Sequence, residues 1–296
     1  MKTLFFGFIA VAVVLFLFTR IVEPPNQLDY LDRVWPGQSN AEKLASDITF
    51  DEASAQKLNI WGSPAPAVHH KKPVLVFFYG GGWANGDRDH YGFAARAYAN
   101  RGFVVVLPDY RKVPDVHFPA FNQDAAAAVR WVHDNIGRYG GDPDRIVLAG
   151  HSAGAYIAMM LTLDRSYLMA AGVKPSIIRG TVGLSGPYDF YPYDSHRSIN
   201  AMNRWPRPLE TQPIAFARKD TPPIMIVTGT SDDTVKPRNA ILLSRKLHEL
   251  GAPVTFRAYN DLNHEDIVMA LSKPFRNKAP VLQDSADFLM KAADQQ

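Results

Sequence analysis

The sequence contains no cysteine, which excludes disulfide-bonded scaffolds, zinc–thiolate sites and catalysis by a thiol. Charge of one sign is also scarce, because 32 basic residues are balanced by 29 acidic residues and the net charge is only +3. So small and dispersed a charge argues against a nucleic-acid partner. Internal repeats and low-complexity segments are missing too, and 47% of the 296 residues are hydrophobic. The chain is therefore expected to fold around a large globular core.

The longest hydrophobic run lies at the N-terminus. Residues 4–18 carry no charge and are flanked by Lys2 and Arg20. The run is short of the ~20 residues that span a bilayer comfortably, and no small-residue cleavage site follows it. We expect residues 1–22 to be an uncleaved signal anchor that holds the rest of the chain on the periplasmic or extracellular side of a membrane. If the segment is instead a cleaved signal peptide, the protein is secreted.

The rest of the chain changes character after residue 45. Residues 23–45 are polar and contain Pro24-Pro25 and Trp35-Pro36-Gly37, which favours a linker with some short helix. From residue 46 to residue 296, strand and helix patterns alternate, as in an α/β domain with a mostly parallel sheet and right-handed crossovers. The predicted strands are 48–50, 57–61, 74–79, 103–107, 146–149, 181–184, 224–227 and 254–259. The predicted helices are 123–136, 153–163, 239–250 and 279–293.

A candidate nucleophile follows the fifth predicted strand. Gly150-His151-Ser152-Ala153-Gly154 matches the G-x-S-x-G pattern, in which a serine occupies a tight turn between a strand and a helix. The flanking glycines are needed because side chains there would strike the neighbouring strand and helix. The helix N-terminus favours developing negative charge beside Ser152. A purely structural strand-to-helix turn is the alternative.

A glycine-rich loop, Gly80-Gly81-Gly82, follows the third predicted strand and is called the glycine loop below. Three consecutive glycines let the backbone approach a substrate closely and point its amides into a cleft. We expect the amides of Gly81, Gly82 and Ala153 to form an oxyanion hole. Such a loop could instead cradle a phosphate, but the chain lacks the G-K-[ST] and G-x-G-x-x-G patterns there.

A serine triad in this kind of fold runs in the order Ser, then Asp or Glu, then His. His264 comes soon after the last predicted strand, whereas His248 lies within a predicted helix and is expected to be solvated. Asp232 follows the strand at 224–227 and is the predicted acid, with the adjacent Asp233 as the alternative. The acid would hold the His264 ring and stabilise its charged form.

Together with these motifs, further segments resemble the BD-FAE type of α/β-hydrolase, within the carboxylesterase and hormone-sensitive-lipase-like branches of that superfamily. The resemblance is carried by three segments: residues 139–146, which lead into the serine motif; Asp109-Tyr110-Arg111; and residues 186–189. It covers roughly residues 45–290. It implies an eight-stranded sheet whose second strand is antiparallel. It also implies no cofactor or metal, a monomer or small oligomer, and hydrolysis of small short-chain carboxylic esters.

One position departs from the family pattern. The family loop usually reads HGGG, with a histidine that braces the loop through hydrogen bonds, and Tyr79 stands there in this chain. The aromatic residues Trp83, Tyr188 and Phe190 are candidates to line the substrate pocket, although core packing is an equally good interpretation. Two alternative functions stay open. One is an N-formyl amide hydrolase, since kynurenine formamidase-like enzymes share the GGxW-type loop, and the other is a catalytically silent binding module.

Overall fold

The structure, a computed structural model, describes residues 24–64 and 71–295. The predicted signal anchor at 1–22 lies outside these residues. Among the helices of the two described ranges, none is both long enough and apolar enough to cross a bilayer.

The described residues form an eight-stranded sheet in the order β1-β2-β4-β3-β5-β6-β7-β8. The strands are β1 (Glu42–Asp51), β2 (Gln56–Gly62), β3 (Lys72–Phe78), β4 (Val104–Pro108), β5 (Gly141–His151), β6 (Ile178–Leu184), β7 (Ile224–Gly229) and β8 (Val254–Tyr259). Strand β2 is antiparallel to both of its neighbours, β1 and β4. The strand pairs from β4 through β8 are parallel. The eight predicted strands and the antiparallel second strand are therefore confirmed.

Helices connect and flank the strands. The α-helices are α1 (Pro24–Val34), α2 (Gly92–Ala99), α3 (Ala120–Asn135), α4 (Ala153–Leu163), α5 (Arg165–Ala170), α6 (His196–Met202), α7 (Arg238–Glu249), α8 (His264–Met269) and α9 (Val281–Ala293). Helices α3, α4, α7 and α9 correspond to the four predicted helices. Four further helices were not predicted: α2, α5, α6 and α8. Each has eight residues or fewer, and so few turns give only a weak periodic signal in the sequence.

The central strands explain where the core lies. Residues 74–78 of β3 are completely buried, as are residues 146–149 of β5. Continuous apolar runs of this kind suit strands that are covered on both faces. Helix α4 packs so closely that a Cβ atom on Gly154 would lie 2.0 Å from the carbonyl oxygen of Phe78. This close approach fixes the start of α4 at the carboxyl edge of the sheet.

Part of the segment predicted as a linker, residues 23–45, packs against the domain through helix α1. Helix α1 carries Asp29 and Asp32, both almost fully buried, and the buried guanidinium of Arg96 in α2 contacts their carboxylates at 2.8 and 2.7 Å. Asp32 also accepts a hydrogen bond of 2.7 Å from the amide of Lys273. The polar composition suggested solvation, but these carboxylates are paired in the interior, where removing one partner is costly. Strand β1 begins at Glu42, within the same segment.

The close packing of α4 on β3 generates a stability prediction. Gly154→Ala should lower the free energy of unfolding by about 3 kcal/mol or more, because the added methyl group meets backbone atoms that have no room to move. Gly137→Ala is the matched control, since a Cβ atom there would meet nothing within 4 Å. Urea denaturation of both variants measures the difference. Equal stability of the two variants would contradict the packing described.

Candidate active site

The predicted nucleophile lies at the corner between β5 and α4. Ser152 has φ 56° and ψ −121°, a backbone conformation that residues with a side chain rarely adopt. Its amide donates to the carbonyl oxygen of Leu184 at 2.9 Å, and its own carbonyl oxygen accepts from the amide of Tyr156 at 3.0 Å. Strain of this kind costs on the order of 1–3 kcal/mol and persists only where the surroundings enforce it. Hydrogen bonds on both sides enforce it here.

The glycine loop runs beside this corner. A Cβ atom on Gly80 would lie 3.2 Å from the Cβ atom of Ser152, so the two backbones are in close contact. Gly81 has φ 139°, and a side chain there would collide with the carbonyl of Asn85 at 2.1 Å. The amide of Gly80 donates to the hydroxyl of Tyr91 at 3.2 Å, which holds the start of the loop.

The three amides predicted to form an oxyanion hole have no hydrogen-bond acceptor among the described residues. Within the described structure, the amides of Gly81, Gly82 and Ala153 do not donate to any protein acceptor. Ala153 is the first residue of α4, where an amide has no intrahelical partner. Unpaired amides close to a strained serine are the donors that a developing oxyanion requires.

Tyr79 braces the glycine loop in the position where the family usually has histidine. Its hydroxyl donates to Asp109 at 3.0 Å and accepts from the ammonium group of Lys112 at 3.0 Å. The ring stacks on Tyr110 with centroids 4.6 Å apart, and the Tyr110 hydroxyl donates to the Tyr79 carbonyl oxygen at 3.0 Å. Burial, together with the nearby Tyr110 and Asp109, raises the pKa of Tyr79 well above its usual value, so the phenol keeps its proton.

The predicted acid and base are in direct contact. The Nδ1 atom of His264 lies 2.9 Å from Oδ2 of Asp232, and both side chains are buried. The other carboxylate oxygen of Asp232 accepts from the amides of Thr234 at 3.1 Å and Val235 at 2.8 Å. The carboxylate is thus held on one side by backbone and aimed at the ring on the other. Asp233 is exposed, and Asp232 is the aspartate that the loop turns toward His264.

A second histidine, missed by sequence reasoning, ties His264 to the serine corner. The Nε2 atom of His151 donates to the carbonyl oxygen of His264 at 3.1 Å, and the two rings lie 4.7 Å apart. Burial, reinforced by His264, holds the pKa of His151 well below its usual value, so His151 is neutral. Because His151 directly precedes Ser152, this contact brings the backbone of His264 to the corner. The position of His151 inside the G-x-S-x-G motif was the feature of the sequence that could have pointed to a role for it at the site.

His264 is the first residue of α8 and not a loop residue. The side chain of Asn263 accepts from the amide of Asp266 at 2.8 Å, and the Asp266 carboxylate accepts from the amide of Asn263 at 3.2 Å. This reciprocal capping box fixes the helix start and therefore the His264 backbone. The Asn-x-x-Asp spacing is visible in the sequence and could have revealed the helix.

The three aromatic candidates for the pocket have different positions. Trp83 follows the glycine loop, and its buried ring contacts Tyr156 edge-on at 5.3 Å and stacks on Phe190 at 6.0 Å. Phe190 is partly buried. Tyr188 is completely buried in a second core cluster with Met159 and other apolar residues. This core position does not support the prediction that Tyr188 lines the substrate pocket, because the aromatic ring is used for packing.

Within 24–64 and 71–295, no group of three or more His, Asp or Glu side chains is arranged to hold a metal ion. At the serine corner, His151 donates to the His264 carbonyl oxygen and His264 pairs with Asp232.

The sheet order, the serine at a strained strand-to-helix corner and the buried His–Asp pair define an α/β-hydrolase fold. Residues 63–247 match the BD-FAE family model, and the chain belongs to the BD-FAE family. A solved structure, a truncated form of a carbohydrate esterase from gut microbiota, superposes with a TM-score of 0.73 at 19% identity. The match covers 88% of this chain and 99% of that chain, and it supports the fold.

Curated relatives share more of the sequence. Esterase LipQ of Mycobacterium tuberculosis is 27% identical over 265 residues, which cover 82% of this chain and 61% of LipQ. The isoprenylcysteine alpha-carbonyl methylesterase ICME of Arabidopsis thaliana is 29% identical over 244 residues, 75% of this chain and 57% of ICME. The aligned part of this chain therefore spans about three fifths of the length of each of these relatives.

The bracing of the glycine loop generates a second stability prediction. Tyr79→Phe should lower the free energy of unfolding by about 1–2 kcal/mol, because it removes a donor to the partly buried Asp109 and an acceptor for Lys112. Tyr191→Phe is the matched control on an exposed ring and should leave stability nearly unchanged. Thermal unfolding followed by circular dichroism compares the two. A Tyr79→Phe variant as stable as Tyr191→Phe would show that the hydroxyl does not brace the loop.

Proposed function

We propose that this protein hydrolyses carboxylic esters with Ser152 as the nucleophile, His264 as the general base and Asp232 as the residue that orients the base. The observation that carries the proposal is the buried 2.9 Å contact between His264 Nδ1 and Asp232. Because a carboxylate accepts at Nδ1, that nitrogen carries the ring proton and Nε2 is left as the basic atom. The names of the relatives, LipQ an esterase and ICME a methylesterase, support the same class of reaction.

The reaction follows from these groups. Ser152 Oγ attacks the ester carbonyl carbon while His264 Nε2 takes the hydroxyl proton. The amides of Gly81, Gly82 and Ala153 donate to the resulting oxyanion. The carbon–oxygen bond to the alcohol breaks, and the protonated His264 gives its proton to the leaving alkoxide. A water molecule, deprotonated by His264, then attacks the acyl carbon. The bond from that carbon to Ser152 Oγ breaks, His264 returns the proton to Ser152, and the carboxylic acid leaves.

The proposal includes a preference for short acyl chains, which rests on the family resemblance. Turnover of 4-nitrophenyl acetate, butyrate and octanoate measures it, with kcat/KM expected to fall toward octanoate. Parallel assays with formanilide distinguish an ester hydrolase from an N-formyl amide hydrolase. Faster turnover of formanilide than of the aryl acetate would favour the amide hydrolase.

The adjacent aspartates provide a matched pair of variants. Asp232→Asn should lower kcat for 4-nitrophenyl acetate by roughly 10³-fold or more, because an amide donor at Nδ1 favours the wrong ring tautomer. Asp233→Asn makes the same change on an exposed neighbour and should retain most of the activity.

Ser152→Ala completes the test, since removal of the nucleophile should abolish the pre-steady-state burst of 4-nitrophenol. Circular dichroism of each variant controls for folding. Wild-type turnover by Ser152→Ala, or equal losses in Asp232→Asn and Asp233→Asn, would contradict the assigned roles.

A further inference from the structure

A cationic side chain lies over the glycine loop and takes no part in the mechanism above. Arg197 belongs to the first turn of α6, which Ser195 and Ser198 cap reciprocally. The amide of Phe118 donates to the carbonyl oxygen of Ala201 at 2.9 Å. This hydrogen bond ties α6 to the segment before α3, so the backbone that carries Arg197 is fixed in place.

The side chain of Arg197 covers one residue of the loop directly. A Cβ atom on Gly82 would lie 2.6 Å from Cδ of Arg197 and 3.3 Å from its Nε atom. Gly80 in the same loop lies against Ser152. The aliphatic part of Arg197 therefore packs on the loop that carries the proposed oxyanion donors, and its Nε atom lies close to Gly82.

The charge of Arg197 is not neutralised by any residue in the described ranges 24–64 and 71–295. The side chain is exposed and, in the part of the chain that the structure describes, it makes no ion pair or hydrogen bond, even with Asp194 three residues earlier. Two other arginines of the same β6–β7 connection are paired, Arg207 with Glu210 and Arg218 with Asp220, whereas the exposed Arg204 likewise has no such partner among the described residues. An unpaired guanidinium next to the glycine loop attracts anionic substrates and offers two parallel donors to a carboxylate.

Building on the proposed function, we propose that Arg197 binds a carboxylate carried by the ester substrate. The enzyme accordingly prefers esters that bear a second, ionised carboxyl group over neutral esters of the same shape. Arg197 contributes to substrate selection, whereas the chemical step stays with Ser152, His264 and the loop amides.

Two pairs of substrates test this preference and locate the carboxylate. Mono-4-nitrophenyl adipate against its methyl ester places the charge on the acyl side, and 4-acetoxybenzoate against 4-acetoxybenzamide places it on the leaving group. The quantity measured is the ratio of kcat/KM for the anionic substrate to kcat/KM for its neutral partner. In the wild-type protein this ratio should exceed one in at least one pair and should fall as salt is added, because salt screens the attraction.

Variants assign the preference to Arg197. In the pair that shows the preference, Arg197→Gln should lower the ratio about tenfold, a loss typical of a charge-assisted hydrogen bond, and Arg197→Lys should restore part of it. Arg245→Gln is the matched control, because it removes the same charge from an exposed position on α7 that lines a surface groove with Val254 and Phe256. Its ratio should stay at the wild-type value.

The possible outcomes distinguish a failure of the role proposed for Arg197 from a failure of the proposed ester hydrolysis. A ratio in Arg197→Gln within twofold of the wild-type ratio would overturn the role of Arg197 and leave ester hydrolysis standing. Equal losses for charged and neutral esters would also overturn it, since Arg197 would then act on the loop or the oxyanion. Failure of the wild-type protein to turn over any of the four esters would overturn both proposals.

Discussion

The backbone of Ser152 is the constraint on which the site depends. A positive φ at a residue with a side chain is unfavourable, and here it is held by hydrogen bonds to β6 on one side and to the first turn of α4 on the other. Gly154 allows α4 to approach β3 so closely that no larger residue fits. The same corner leaves the Ala153 amide unpaired and brings it next to the glycine loop. Packing of the core thus determines the geometry of the proposed oxyanion hole.

Several polar groups around this corner are held in one orientation by hydrogen bonds. Backbone amides hold one oxygen of Asp232, which leaves the other for His264. A neutral histidine, His151, holds the backbone of His264 by donating a hydrogen bond to its carbonyl oxygen. In a buried site such preorganisation matters, because groups that are already aligned need no rearrangement when charge develops. The glycine loop receives comparable support from Tyr79 and its partner Asp109.

Much of this architecture could be predicted from the amino-acid sequence, because the governing signals are local. The apolar runs at 74–78 and 146–149 identify central strands, and the glycines around Ser152 identify the corner. The packing of helix α1 into the domain was not predicted, since its buried Asp29 and Asp32 look like solvent-facing residues until Arg96, far along the chain, is placed beside them. Asp232 and Asp233 could not be separated either, because only the loop conformation decides which side chain reaches His264. Tyr188 has an aromatic ring that suits a pocket or a core equally well, and tertiary packing decided for the core.

Covalent labelling can show whether Ser152 is the reactive group of an ester hydrolase. The full chain is treated with a fluorophosphonate and digested, and the modified peptide is mapped by mass spectrometry while ester hydrolysis is followed in parallel. We expect a single adduct on Ser152 and a loss of activity in proportion to labelling. An adduct on another residue, or undiminished hydrolysis by fully labelled protein, would contradict it.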